Sequence, residues 1–375
     1  MTPFAITAPG RILFGRGESA KAPALIRSFG NRVLIVHGAN RDRAGWLRIP
    51  DAEVQTLPCG GEPTLAMLEA ALQQTRGFEP QVVVGLGGGA VLDLAKALAA
   101  LIPAPGGPME HLEVVGKGLA LKADPLPFIA LPTTAGTGAE VTKNAVIGLP
   151  EMGRKVSLRD DRMVARIAIV DPALTDPCPR AVTLASGLDA VTQVIEPFVS
   201  VKATPYTDAL TRPAIAVGLG ALMRLMQGED PMARDRMAWV SLCGGLALAN
   251  SGLGAVHGLA GVIGGMTGAA HGAICGALLG PALAVNQGRA TGAARDRIEE
   301  ALALISGPLG CTADTVPGRL ASWALAAGLP RLGDLGVKDA DHEKIAEAAT
   351  SASSSRGNPV ALAAADFAEI LARAH

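Results

Sequence analysis

Asp189 and Gln193 stand four apart in GLDAVTQVIEPF, and Glu196 follows three residues later. On a helix that spacing puts all three on one face, with oxygens able to turn toward one cation. His257 and His271 stand fourteen apart inside GLGAVHGLAGVIGGMTGAAHG, part of a stretch from Met237 to Gly288 without Asp, Glu, Lys or Arg. Imidazoles in apolar surroundings need partners, and a metal is one. The other reading is a pair of hydrogen-bonded core histidines with Asp189 as a structural carboxylate, and spacing alone favours it. A second chemistry is written in glycine. Gly87, Gly88 and Gly89 follow the valine run of QVVVGLGGG and precede the helical pattern VLDLAKALAAL, whose first turn is expected to contain Asp93. Backbone N–H groups at such a strand-to-helix turn can approach a pyrophosphate. A lone GGG is equally well a bare turn. Here LPTTAGTGAEVT adds Thr133, Thr134 and Thr137 in a second small-residue loop after another strand, which makes a ligand the better reading.

The elements that must position these residues fall into two kinds. Up to about residue 177, β-rich runs alternate with helical stretches, the pattern of parallel β-α-β construction. Val33 to Val36, Gln81 to Gly85, the run PFIALPTT from Pro127 to Thr134, and ARIAIVDP closing at Asp171 and Pro172 are expected strands of an open α/β sheet. Ligands of such sheets bind beyond the carboxyl ends of the strands. Beyond residue 177 Ala, Leu and Gly dominate at helical spacing, with breaks expected at Pro205, Pro213 and Pro231. The expected organisation is therefore an α/β domain over 1–177 and an all-α domain over 178–375.

Composition narrows the function. The 375 residues carry 33 Lys and Arg against 34 Asp and Glu, a net charge of -1, and only 3% are aromatic. No nucleic-acid partner is expected, since neither the counterion-release electrostatics nor the stacking platforms are present. The five cysteines form no C-x-x-C pair, and the N-terminus lacks the charged and apolar regions of a secretory signal, so a reducing cytoplasm is expected. The charge-free stretch is interrupted by Asn250, Ser251, His257, His271, Pro281 and many glycines, so it reads as buried core helices and not as membrane spans. The apolar helical half offers a surface for a homodimer.

RILFGRGE (11–18), EPT (62–64), GGGAVLDLAK (87–96), PTTAGTGAEVT (132–142), KVSL (155–158), IVDP (169–172), GLDAVTQVIE (187–196) and the stretch from VHGLAG to AAHG (256–272) together resemble the iron-containing (group III) alcohol dehydrogenases. That family shares a fold with glycerol dehydrogenase and dehydroquinate synthase. The resemblance implies an N-terminal Rossmann-like domain for NAD(P), a helical domain holding a divalent metal such as Fe2+ or Zn2+, and hydride transfer to or from a small alcohol or carbonyl compound. It assigns cofactor contacts to Gly88, Gly89, Thr133, Thr134 and Thr137, with Asp93 and Lys155 in support. It assigns the metal to Asp189, Gln193, His257 and His271, where Gln193 replaces a family histidine and is the weaker donor. A further family histidine corresponds to Gly261, and a family serine after the glycine turn to Ala90. Gly38, at the end of RVLIVHGA, lacks the acidic side chain that accepts from a ribose 2′-hydroxyl, and Arg41 and Arg43 lie close by, which favours NADP(H) over NAD(H). If no metal binds, His271, His257 and Lys155 are the candidates expected to stabilise a developing alkoxide. The departures also fit a maleylacetate reductase-like branch. A lyase or cyclase related to dehydroquinate synthase ranks lower, because segments 187–200 and 250–280 carry no cluster of Lys and Arg. A nucleotide-binding protein without catalysis is the third reading.

Overall fold

The computed structural model describes residues 3–375, which divide into two compact units. Thr7–Thr134 and Gly138–Pro177 form an α/β unit; residues 3–6, Ala135–Thr137 and Cys178–His375 form a helical unit. The last three residues of TTAGT (133–137) thus group with the helices, which a single linear boundary does not describe.

In the α/β unit the strands are β1 (Arg11–Phe14), β2 (Arg32–Gly38), β3 (Glu53–Cys59), β4 (Val82–Gly87), β5 (Phe128–Pro132), β6 (Asn144–Leu149), β7 (Arg154–Arg159) and β8 (Ile167–Val170). Six of them form one parallel sheet in the order β1-β8-β5-β4-β2-β3, and β6 and β7 form a separate antiparallel hairpin. The helices of the unit are α1 (Ala22–Arg27), α2 (Leu65–Arg76), α3 (Gly89–Leu101) and α4 (Pro108–His111). Period-two alternation divides each central strand between two cores. Leu34, Val36 and Val83 face one cluster with Leu68, Leu92 and Leu98, while Val33, Ile35, Val82 and Val84 face another with Ile26 and Ile169. Both faces being covered, β4 and β5 are buried along their whole length, which is why they read as continuous apolar runs. Strand order reverses between β2 and β4, so the loops after Gly38 and Gly87 flank a topological switch point.

The helical unit contains α5 (Arg180–Val199), α6 (Pro205–Gln227), α7 (Pro231–Ser251), α8 (Ala255–Thr267), α9 (His271–Arg289), α10 (Gly292–Leu309), α11 (Val316–Ala326), α12 (His342–Ser351) and α13 (Ala364–Ala374). The charge-free stretch forms most of α7, all of α8 and nearly all of α9. These helices supply Val240, Cys243, Leu259, Ile263, Ile274, Leu278 and Leu279 to a single core cluster with Leu188, Val191 and Phe198 of α5. By length and composition α6 could cross a membrane; it packs on α5, α7 and α10.

Three sequence expectations change. Pro205 and Pro231 do open α6 and α7, but Pro213 lies inside α6. It sits on the exposed face with Ala209, so the carbonyl that loses its helical partner lies where water can satisfy it. Asp93 is not in the first turn of α3, which begins at Gly89; it lies one turn further in. The four expected strands omitted β1, β3 and the β6–β7 hairpin. β1 has only four residues, and β3 is an edge strand with a mostly polar or exposed pattern, so neither carries a strong apolar run.

Candidate functional site

In the helical unit, close helix packing brings the polar residues of three helices together. α5 presents Asp189 and Glu196, both buried (1% and 6% exposed), and α8 presents His257 in its first turn. His271 is the first residue of α9, its side chain 30% exposed. A Cβ at Gly272 would lie 2.4 Å from the Ala185 carbonyl oxygen, so only glycine lets the start of α9 rest directly on α5. A Cβ at Gly254, before α8, would lie 2.9 Å from Glu196 Oε1. With that space clear, Glu196 Oε1 accepts from the Val256 backbone N–H at 2.7 Å, while Oε2 takes the Nδ1–H of His257 at 2.6 Å. Glu196 therefore satisfies the α8 N-terminus and fixes the His257 ring with one carboxylate.

His257 Nε2, turned the other way, is 3.2 Å from Asp189 Oδ1, and His271 Nε2 is 3.9 Å from the same oxygen. The imidazole centroids are 5.4 Å apart. Cys275, one turn along α9, places its Sγ 3.6 Å from His271 Nε2. The donor atoms of Asp189, His257, His271 and Cys275 all lie within 4.8 Å of one another. Oxygen and nitrogen ligands at about 2.1 Å from a tetrahedral ion are about 3.4 Å apart, so the spacing suits a divalent cation. The charges are strongly coupled. Burial works against the imidazolium of His257, yet Cys275, Asp189 and Glu196 outweigh it and raise its pKa well above the ordinary value. For His271 burial is likewise outweighed, by Cys275 and Asp189, and the pKa rises to about 9. Burial alone would raise the Asp189 carboxyl; His271, His257 and Cys275 hold it below its usual value. Cations are thus favoured beside Asp189, whether protons or a metal.

Gln193 does not present both ends of its amide to this cluster. Its Nε2 donates to the Thr137 carbonyl at 2.7 Å, leaving Oε1 as its accepting end. Gly261, one turn after His257, has open space around the position of a Cβ.

In the α/β unit the glycine turn follows β4, with Gly88 immediately preceding α3 and having no side chain to cap it. Gly89 and Ala90 open the helix, so their N–H groups are among those that α3 cannot satisfy internally. A Cβ at Gly88 would lie 3.2 Å from Thr134 Oγ1, and Thr133 N donates to the Gly87 carbonyl at 3.0 Å, so the two loops lie side by side. Gly38 ends β2 with open space where a Cβ would be, and Arg41 and Arg43 are exposed just beyond it. Arg43 donates to the Pro177 carbonyl at 3.3 Å.

Two expected contributors have other partners. Asp93 Oδ2 accepts from the Val146 backbone N–H at 3.0 Å, which fastens α3 to β6 and accounts for the carboxylate without a nucleotide. Lys155, on β7, is paired with Glu62. Sequence reading missed Cys275 as a neighbour of the histidines, although its i,i+4 spacing from His271 was legible. It also missed Glu196 as the partner of His257, because that contact joins residues 61 positions apart.

Residues 9–172 match the iron-containing alcohol dehydrogenase family, and residues 183–375 match the C-terminal family of Fe-containing alcohol dehydrogenases. The chain is 33% identical over 362 residues to the probable alcohol dehydrogenase EutG of Salmonella typhimurium, covering 96% of this chain and 90% of that one. It is 40% identical over 205 residues to long-chain-alcohol dehydrogenase 1 of Geobacillus thermodenitrificans, covering 54% of this chain and about half, 51%, of that protein's length. Among solved structures, an iron-containing alcohol dehydrogenase from Thermococcus thioreducens superposes with a TM-score of 0.86 at 26% identity, covering 99% of each chain. A 1,3-propanediol oxidoreductase superposes with a TM-score of 0.89 at 25% identity, covering 100% of each chain.

Proposed function

This chain belongs to the iron-containing alcohol dehydrogenase family, and from that premise we propose that it is an NAD(P)-dependent oxidoreductase acting on a small alcohol or the corresponding carbonyl compound. The observation that carries this reading is the meeting of buried Asp189 and His257 with part-exposed His271 at distances suited to one divalent cation. When bound, Fe2+ or Zn2+ at these residues supplies a Lewis acid for the substrate oxygen, and the nicotinamide supplies or accepts hydride. The protein's own contribution is positioning. Glu196 holds the Nδ1 proton of His257, so that Nε2 keeps its lone pair for the cation, and Asp189 supplies the negative charge.

The backbone N–H groups of Gly89 and Ala90 and the hydroxyls of Thr133 and Thr134 are assigned to the nucleotide phosphates. The uncapped start of α3 after Gly88 supports that assignment. Open space at Gly38 and the exposed Arg41 and Arg43 support NADP(H) over NAD(H), since a 2′-phosphate meets no carboxylate there and has guanidinium partners within the same loop. None of the five cysteines forms a disulfide, which supports a reducing compartment such as the cytoplasm.

The test is oxidation of NADPH and NADH with a panel of aldehydes, before and after chelation, alongside elemental analysis. The expected result is aldehyde-dependent oxidation that is faster with NADPH, lost on chelation and restored by Fe2+ or Zn2+. Nucleotide binding without net oxidation by any carbonyl compound would refute the oxidoreductase reading. Full activity in metal-free protein would remove the cation from it.

A further inference from the structure

The family histidine whose place Gln193 takes leaves the question of which atom completes the donor set. Gln193 is an unpromising answer. Its amide nitrogen is held by the Thr137 carbonyl, its stem packs against Gly244, where a Cβ would come within 3.3 Å, and an amide oxygen is a weak neutral donor. α9 supplies another atom. Cys275 follows His271 by one helical turn, on the same face of the helix. Its side chain is buried, and its sulfur has more neighbours than His271: the ligand atoms of Cys275, Asp189, His257 and His271 all lie within 4.8 Å of one another. A tetrahedral ion bound to sulfur at about 2.3 Å and to nitrogen at about 2.1 Å separates those two ligand atoms by about 3.6 Å. The Sγ to Nε2 distance is 3.6 Å.

We propose that the Cys275 thiolate is the fourth protein ligand of the cation held by Asp189, His257 and His271, and that the site thereby prefers a thiophilic ion such as Zn2+ to Fe2+. The inference rests on the reading of those three residues as cation ligands. On binding, the thiol gives up its proton to solvent and the sulfur lone pair goes to the ion. One carboxylate and one thiolate then balance the two charges of the cation, where the family's set of one Asp and three His leaves a net positive charge. Soft sulfur donation favours zinc among the divalent ions available to such a site.

The experiment uses the full-length protein stripped of metal and reloaded with Co2+, whose bond to a thiolate gives an intense near-ultraviolet charge-transfer band. The expected result is that band at one equivalent of Co2+, kept in Cys311→Ser, and lost in Cys275→Ser together with at least about a 100-fold weakening of metal affinity, the upper end of what losing an outer-shell partner costs. Zinc X-ray absorption on the unmodified protein reads the same bond without a variant, as one sulfur at about 2.3 Å. One equivalent of bound metal with only nitrogen and oxygen neighbours overturns the thiolate and leaves the Asp189, His257 and His271 site standing. Failure of the unmodified protein to bind Co2+ or Zn2+ at all overturns that site and the thiolate with it.

Discussion

Replacing Glu196 by Gln changes almost nothing in volume and separates the two duties of this side chain. The carboxylate accepts from Val256 N–H at 2.7 Å and from His257 Nδ1–H at 2.6 Å, whereas an amide has one accepting end and one donating end. If its oxygen stays on Val256, the NH2 faces His257 and imposes the tautomer with the proton on Nε2, pointing at Asp189 Oδ1 3.2 Å away. All partners are then satisfied, the metal-free protein folds, and Nε2 has lost the lone pair a cation needs. If the amide turns over, its NH2 opposes the Val256 N–H, at a cost of about 1–3 kcal/mol for the unsatisfied donors. Losing a charge-assisted hydrogen bond costs about 1.5–3 kcal/mol, equivalent to roughly a 10- to 100-fold weaker metal affinity. The assay is Zn2+ competition against a chelator at fixed pH, with circular dichroism and nucleotide binding as controls for folding. An affinity within a factor of about three of the unmodified protein, in a folded variant, would refute the argument that Glu196 acts through the His257 tautomer.

Gly272→Ala places a methyl group 2.4 Å from the Ala185 carbonyl oxygen, and relief of that contact moves the start of α9 off α5. Thermal unfolding is expected to show a loss of about 1–3 kcal/mol together with weaker metal binding, and an unchanged melting temperature would count against the close-packing argument. Away from Asp189, His257 and His271, burial raises the pKa of Glu140 to about 7, against the opposing effects of its own backbone hydrogen bond and of Lys96. The folded state therefore holds a proton that the unfolded chain releases near pH 4.5, so this contribution to stability is complete below pH 4.5 and is lost as the pH rises through about 7. Glu140→Gln is expected to flatten that part of the stability profile in denaturant titrations, and an unaltered slope would show that Glu140 ionises normally.

The sequence alone determined what depends on local pattern. Apolar runs ending in glycine marked the central strands β2 and β4, and one running into a Thr- and Gly-rich loop marked β5, because a buried strand must be apolar on both faces. Helical spacing marked α5 and put Asp189 and Glu196 on one face, and the order of motifs such as GGGAVLDLAK and GLDAVTQVIE pointed to the family. What needed the tertiary structure was every partner chosen across long separations. Asp93 accepts from Val146 N–H, Lys155 pairs with Glu62, and Gln193 donates to the Thr137 carbonyl. The family resemblance places Asp93 and Lys155 in support of the cofactor and Gln193 among the metal ligands, and no local pattern records which protein partner lies opposite each. The same holds for the candidate metal site. Asp189, His257, His271 and Cys275 meet because Gly272 lets α9 rest on α5 and Gly254 leaves room for Glu196 to hold α8, and such steric permissions take effect only once the helices are packed.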